Sequence, residues 1–188
     1  MFNKKPFFIV FEGVEGCGKS FQSKKLLNNL KKKKLKVLLT REPGGTKLAE
    51  SLRNLILKIK SDINIDEEIL MLMAARSHHI NNVIKPALNK GDLVISDRFA
   101  DSTFVYQGYV NKFGIQKAKI LHKNILNNFL PHKTFLFNLP TSNIISRLKN
   151  RKSKNKYDKL ERNFHDQVNK GYELISRSKR FIMIDASK

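Results

Sequence analysis

One eight-residue run, Gly13-Val14-Glu15-Gly16-Cys17-Gly18-Lys19-Ser20, carries the spacing G-x-x-x-x-G-K-[ST] in full. Its glycines let the backbone turn sharply and aim successive N–H groups at phosphate oxygens. A helix starting at the end of such a loop adds a partial positive charge behind them. Lys19 would then reach the β- and γ-phosphates of ATP, and the Ser20 hydroxyl would ligate Mg²⁺. The eight residues Gly13, Val14, Glu15, Gly16, Cys17, Gly18, Lys19 and Ser20 are the candidate ATP site. A second piece is Asp97-Arg98, which closes the apolar run Leu93-Val94-Ile95-Ser96. A carboxylate at a strand end suits the metal side of a phosphate loop, so Ser20 and Asp97 form the candidate metal pair. Arg98 beside them would hold a second phosphate group.

These residues need a scaffold, and the rest of the chain reads as one. Short apolar runs alternate with helical patterns from end to end. Phe7-Phe8-Ile9-Val10-Phe11 is the first strand, followed by a helix over 19 to about 30. Lys36-Val37-Leu38-Leu39-Thr40 is the second strand. Gly44-Gly45 then breaks the chain, and Thr46 caps a helix reaching about 58. The longest helical pattern spans 66 to about 89, with Pro86 bending its last turn. The third strand ends at Asp97. Helices are expected over about 103–109 and 116–130, a fourth strand at Thr134-Phe135-Leu136-Phe137, and a helix over 142–149. Residues 150–159 read as a mobile cationic loop, 160–176 as helix, and Phe181-Ile182-Met183-Ile184 as the fifth strand. Strands separated by helices imply an α/β fold with a parallel five-stranded sheet covered on both faces. No repeat or linker divides it, so residues 1–188 form one expected domain. Adjacent strands of that sheet would bring Asp97 near Ser20.

The composition fits a globular core, with 40% hydrophobic and 28% charged residues. A single cysteine excludes a disulfide framework and a cysteine-based zinc site. No run is long and apolar enough to span a membrane, and Met1-Phe2-Asn3-Lys4-Lys5-Pro6 lacks a signal-peptide core, so a cytoplasmic location is expected. The net charge is +21. Such a charge suits nucleic acid or a membrane surface, but the 28 lysines are scattered and accompanied by 18 asparagines. That pattern reads as compositional bias. Its field would still draw in anionic substrates.

Three ordered motifs carry a family resemblance. They are Phe11-Glu12-Gly13 through Ser20, then Thr40-Arg41-Glu42-Pro43-Gly44-Gly45-Thr46, then Asp97-Arg98-Phe99 with Ser102-Thr103 and Tyr106-Gln107-Gly108. Ala74-Ala75-Arg76 and Val83-Ile84-Lys85-Pro86-Ala87-Leu88 fall between them. Over nearly its whole length the chain resembles thymidylate kinases, which have the three-layer P-loop NTP hydrolase-type fold and pass the γ-phosphoryl group of ATP to dTMP with Mg²⁺. The resemblance implies that Glu15 accepts a hydrogen bond from the dTMP 3′-hydroxyl. A carboxylate there repels a triphosphate, so its presence is informative. Arg98 and Arg53 match positions that hold the dTMP phosphate, and Arg76 and Gln107 match positions that read the thymine edge. Thr103 matches a position that excludes ribose or orients the base. Arg41 and Glu42 are expected in a loop over the nucleotide, shaped by Pro43. A homodimer packed through helices is also implied.

The phosphate loop has no basic residue at Val14, Glu15, Gly16 or Cys17, so the transition-state cation is expected from a lid at about 147–159, as in the bacterial type. Arg151 is the first candidate and Arg147 the second. Leu72 stands where the family usually has a Phe stacked on thymine, which predicts weaker dTMP binding or broader base choice. Lys156 stands where relatives often have Arg, and Lys lacks the bidentate fork. Relatives usually continue into a further helix after the last strand, so one sheet face is expected to be less covered. Lys31-Lys32-Lys33-Lys34 reads as a favourable helix C-terminus rather than a nucleic-acid tag. His78-His79 is expected on the surface, and Cys17 as a small loop residue without nucleophilic duty. Three rival functions remain at this stage: a kinase for another nucleotide or a nucleoside, a nucleic-acid-binding P-loop protein, and an inactive scaffold. Arg98 and Arg53 argue for a phosphorylated acceptor, the missing recognition motifs argue against nucleic acid, and intact Lys19, Ser20, Asp97 and Arg98 argue against a scaffold.

Overall fold

The computed structural model describes residues 6–58, 63–149 and 161–187. The apolar runs become strands β1 Phe7–Gly13, β2 Val37–Arg41, β3 Leu93–Asp97, β4 Lys133–Asn138 and β5 Phe181–Asp185. They form one parallel sheet in the order β2-β3-β1-β4-β5. Strands covered on both faces read as unbroken apolar sequence. The central strand shows this, since Phe8, Ile9, Val10 and Phe11 are all buried. Phe8 meets Phe99 edge-on at 5.1 Å and Phe129 in a stack at 5.8 Å. Each such buried side chain contributes about 1.5–3 kcal/mol. Together they fix β1 against the chain that follows β3.

The connecting helices are α1 Lys19–Lys32, α2 Lys47–Lys58, α3 Ile65–His79, α4 Lys85–Asn89, α5 Ala100–Thr103, α6 Ile115–Leu126, α7 Thr141–Lys149 and α8 Arg162–Ile175. Thr46 Oγ1 accepts from Ala49 N at 3.1 Å and so caps α2 as expected. Lys31 and Lys32 occupy the last turn of α1, where cations complement the dipole. Asn64 and Glu67 form a capping box that starts α3. Among the described residues no helix is long and apolar enough to cross a membrane. Ile182 and Met183 on the outer strand β5 are exposed.

Three helical expectations are corrected. The pattern over 66–89 is not one α-helix, because a π-helical segment, Ile80–Ile84, separates α3 from α4. Pro86 offers no N–H and its ring crowds the carbonyl four residues back. The wider turn before it, closed by Lys85 N on Ile80 O, accommodates both defects. The stretch near 103–109 is largely a second π segment, Phe104–Val110. The helix begun near 116 stops at Leu126, where Asn127 and Asn128 take left-handed backbone angles.

The register sets the site. Phe11 and Arg41 both pair with Asp97, so the ends of β1, β2 and β3 stand level at the carboxyl edge of the sheet. Gly171 lets α8 approach the second π segment closely, since a Cβ there would sit 2.9 Å from Val105. That approach carries the neighbouring Tyr172 toward the same edge.

Candidate active site

The phosphate loop leaves β1 at Gly13, whose φ of 139° and tight surroundings admit no side chain. A Cβ there would lie 2.6 Å from the Phe137 carbonyl oxygen. Val14 and Cys17 turn their side chains into the core, so they offer a ligand only their backbone. Lys19 folds back over the loop, and its Nζ donates to Gly13 O at 2.9 Å and Val14 O at 2.7 Å. The Ser20 hydroxyl donates directly to Asp97 Oδ2. The expected juxtaposition of Ser20 and Asp97 is therefore present.

Arg98 follows Asp97 with a left-handed φ of 70° and turns its guanidinium back across the loop. Nη2 donates to Glu15 Oε1 at 2.7 Å and meets the Tyr106 hydroxyl at 3.2 Å. Nη1 reaches Ser102 Oγ at 2.9 Å and the Tyr172 hydroxyl at 3.2 Å. Tyr106 itself donates to Glu15 Oε2 at 2.7 Å. Burial alone would raise the Glu15 pKa, but Arg98, Lys19 and the Tyr106 hydrogen bond outweigh it and hold the group below its ordinary value. Glu15 thus stays ionised, with each oxygen holding one partner and a further lone pair to offer. Glu12, three residues earlier and still on β1, has no exposed surface. It accepts from Phe99 N, Ser102 N, Ser102 Oγ and the Tyr172 hydroxyl. Burial, with Asp101 adding to it, still raises the Glu12 pKa against the pull of Arg98.

A second buried network lies under the loop after β2. Arg76 Nε donates to Glu42 Oε2 at 2.6 Å, and Nη2 donates to Thr103 Oγ1 at 2.8 Å. His79 Nδ1 lies 3.0 Å from Glu42 Oε1, and its Nε2 lies 2.7 Å from Thr40 Oγ1. Burial raises the Glu42 pKa, yet Arg76 and His79 together bring it below its ordinary value. Arg53 Nη1 donates to the Pro43 carbonyl at 3.0 Å. Burial lowers the Arg53 pKa, and the nearby Arg41 lowers it further.

Two clefts meet here. One, of about 620 Å³ with its open mouth included, is lined among others by Leu72, Arg76, Thr103 and Gln107. The other, of about 1160 Å³ on the same measure, is lined by the loop residues Gly16, Gly18, Lys19 and Ser20 with Asp97 and Arg147. Glu15, Glu42, Arg53 and Arg98 line both. Every residue expected at the acceptor, Glu15, Arg53, Leu72, Arg76, Arg98, Thr103 and Gln107, therefore faces one space. The two clefts together offer places for two phosphate-bearing ligands meeting at Arg98.

The remaining candidate residues take the following places, and one expectation, a surface His79, is corrected. Glu42, which lines both clefts, is itself buried and clamped by Arg76 and His79. Arg41 pairs with Glu50 at 2.9 Å, and both are substantially exposed. His79 is fully buried, not at the surface, because it supplies the imidazole on which Thr40 and Glu42 converge. Arg147 donates to Gly16 O at 3.3 Å and Ala186 O at 3.0 Å, so it braces the loop from α7. Arg151 and Lys156, with most of the expected lid, lie outside the described residues. Sequence reasoning assigned no role to Glu12, Glu68, Ser102, Tyr106 or Tyr172. Glu68, Leu72, Ala75 and His79 recur at spacings of four, three and four along α3, a one-face signal that could have flagged the buried acid and histidine.

A family model described as Thymidylate kinase matches residues 11–188. The curated thymidylate kinase of Vesicomyosocius okutanii subsp. Calyptogena okutanii is 41% identical over 186 residues, covering 96% of this chain and 90% of that protein. The thymidylate kinase of Mycoplasma capricolum is 42% identical over 186 residues, covering 96% and 87%. The crystal structure of thymidylate kinase from Ehrlichia chaffeensis is similar with a TM-score of 0.78 at 32% identity, covering 95% of this chain and 92% of that one.

Proposed function

The chain belongs to the thymidylate kinase family, and from that premise we propose how its joined clefts transfer a phosphoryl group. It is a nucleoside monophosphate kinase that passes the γ-phosphoryl group of ATP to dTMP, giving dTDP and ADP. The observation that carries the site assignment is the shared wall of the two clefts, where Arg98, Arg53 and Glu15 face both. ATP lies with its phosphates on the backbone N–H groups of residues 13–20, and Lys19 leaves its loop carbonyls for the β- and γ-phosphates. dTMP lies in the smaller cleft. Arg98 and Arg53 hold its phosphate, Glu15 accepts from its 3′-hydroxyl, and Arg76, Gln107, Thr103 and Leu72 surround its base.

Ser20 and Asp97 would hold the divalent cation, Mg²⁺. The fit is good: both donors are hard oxygens already in contact at the mouth of the loop. Mg²⁺ keeps several waters and takes phosphate oxygens, so it needs only one or two protein donors. When bound, the ion neutralises charge on the β- and γ-oxygens.

The protein's own part is to hold the two phosphates in line and exclude water, so the group passes directly and without a covalent intermediate. Arg98 stays charged despite burial, because Tyr106, Glu15, Tyr172 and Glu12 surround it. Arg147 steadies the loop, and Arg151 supplies the closing cation, worth orders of magnitude in rate in such transfers. We also assign a homodimer to the exposed Leu48 and Leu55 of α2 and Leu70 of α3, and a cytoplasmic location. Sedimentation showing only monomer would refute the dimer.

The test is ADP release from Mg-ATP with dTMP, dUMP, thymidine, dCMP and dGMP at physiological salt. Turnover should be fastest with dTMP and absent with thymidine. Folded protein that turns over no acceptor would overturn the reading. Arg151→Ala and Arg147→Ala, compared side by side, would assign the closing cation.

A further inference from the structure

Two of the side chains that face the acceptor base, Gln107 and Arg76, are each tied to a buried carboxylate. Gln107 Nε2 donates to Glu68 Oε1 at 2.6 Å, and the two residues are only 4% and 8% exposed. A carboxylate oxygen accepts, so the amide must turn its NH₂ toward Glu68. The opposite rotamer would set two oxygens against each other in a buried place. The amide atom left for the cleft is therefore the acceptor, Gln107 Oε1. Arg76 is committed in a similar way. Nε is held by Glu42, and Nη2 by Thr103 Oγ1 and, more loosely, the Phe99 carbonyl. Among the described residues, Nη1 has only the weak sulfur of Met73 at 3.9 Å. The cleft thus presents an acceptor from Gln107 and a donor from Arg76.

Thymine and uracil carry the complement, an N3–H donor beside a C4 carbonyl acceptor. Cytosine reverses both, with a lone pair at N3 and an amino group at C4. Nothing in an unconstrained glutamine would prefer one pattern, because its amide can rotate by half a turn. The second π segment sets Gln107 in the wall of the cleft, and α3 sets Glu68 behind it. We propose that Glu68 is a specificity-determining positioning residue. It fixes the polarity of the Gln107 amide and so selects acceptors with an N3–H over those with an N3 lone pair. This rests on dTMP as the acceptor and on the smaller cleft as its place.

Glu68→Gln removes the constraint, since a glutamine at 68 can offer either an oxygen or an NH₂ to Gln107. The preference for dTMP over dCMP, as a ratio of kcat/KM, should fall by about tenfold or more, because rejection of a mispaired polar edge is normally strong. The dTMP-to-dUMP ratio should hold, since both bases carry N3–H. KM for ATP should stay within about twofold. Gln107→Leu should lower the dTMP-to-dCMP ratio to a similar level, and the double variant should lower it no further. An unchanged ratio in Glu68→Gln would overturn the assignment, as would additive losses in the double variant. Should Glu68→Gln fail to fold, the wild-type enzyme still decides with dTMP methylated at N3: turnover close to that of dTMP overturns the proposal, and strong rejection supports it. Wild-type protein inactive on dTMP would instead overturn the kinase reading, so the two failures are distinguishable.

Discussion

Replacing Tyr172 by Phe removes one oxygen from the middle of the Arg98 network and leaves a ring that is 2% exposed in its packing. The hydroxyl lies 2.8 Å from Glu12 Oε2, 3.0 Å from Ser102 Oγ and 3.2 Å from Arg98 Nη1. Burial, with Glu12 adding to it, raises the phenol well above its ordinary pKa, so it keeps its proton and donates to Glu12. Glu12 retains Phe99 N, Ser102 N and Ser102 Oγ after the change. The loss is thus dominated by one hydrogen bond to an acidic group, about 1.5–3 kcal/mol, with the longer contacts to Ser102 and Arg98 lost beside it, and it leaves no orphaned buried carboxylate. A chain of this size loses about 2–4 °C per kcal/mol, so Tm should fall by about 3–12 °C. Arg98 keeps Glu15, Tyr106 and Ser102 but loses the brace from α8. Its aim at the acceptor phosphate should loosen, lowering kcat/KM for dTMP about 3–30-fold while KM for ATP stays within about twofold. Calorimetry and steady-state kinetics on the same preparations read both. An unchanged Tm would refute the hydrogen-bond count. Equal changes in the two KM values would refute transmission through Arg98.

Leu72→Phe should lower KM for dTMP by about fivefold or more, since an aromatic–base stack is worth about 1–3 kcal/mol and the ring would extend into the open cleft; a raised KM would count against that placement. Asp97→Asn should raise the Mg²⁺ concentration for half-maximal turnover by about tenfold, with KM for dTMP little changed. On acidification, Glu15 and Glu42 have folded pKa values below the ordinary 4.5, so their stabilisation is complete above that value and is lost as pH falls below it. Glu12 is raised, so its contribution is present below 4.5 and lost as pH climbs through its folded value. Glu12→Gln should therefore gain stability relative to wild type on going from pH 4 to pH 7, which Tm against pH would show.

The strands were legible because a parallel strand buried on both faces must be apolar at consecutive positions, as Phe8 to Phe11 are. The phosphate loop and Asp97 were legible because their chemistry is local in sequence and their sheet neighbours follow from strand pairing. The two π segments were not, since one extra residue in a turn leaves the three- and four-residue spacing almost intact over a short window. That loss matters, because the second π segment carries Tyr106 and Gln107 into the site. His79 was misplaced for a different reason. A histidine is intermediate in burial preference, and its partners, Thr40 and Glu42, lie nearly forty residues away where no local pattern can announce them. Tyr172 is more distant still, 160 residues from Glu12.

Four buried acids, Glu12, Glu15, Glu42 and Glu68, surround a site whose substrates are anions. A carboxylate some 7 Å from a phosphate opposes it by about 2 kcal/mol at an effective dielectric of 20. In a chain of net charge +21, such acids must do something that cations alone cannot. Each one occupies particular donor atoms. Glu15 takes Nη2 of Arg98, Glu42 takes Nε of Arg76, and Glu68 takes the amide NH₂ of Gln107. A guanidinium has five N–H donors in a rigid fork, so committing its inner edge determines where the outer edge points. Without the acids, each arginine would retain its charge but sample several rotamers, and ordering it on binding would cost up to about 2 kcal/mol per side chain. The repulsion and the saved ordering are thus of similar size, and affinity alone does not explain the arrangement. Geometry does: in-line transfer gains from donors fixed before the substrates arrive, and a fixed donor–acceptor pattern distinguishes one pyrimidine from another. The buried acids oppose binding slightly and make the position of every donor definite.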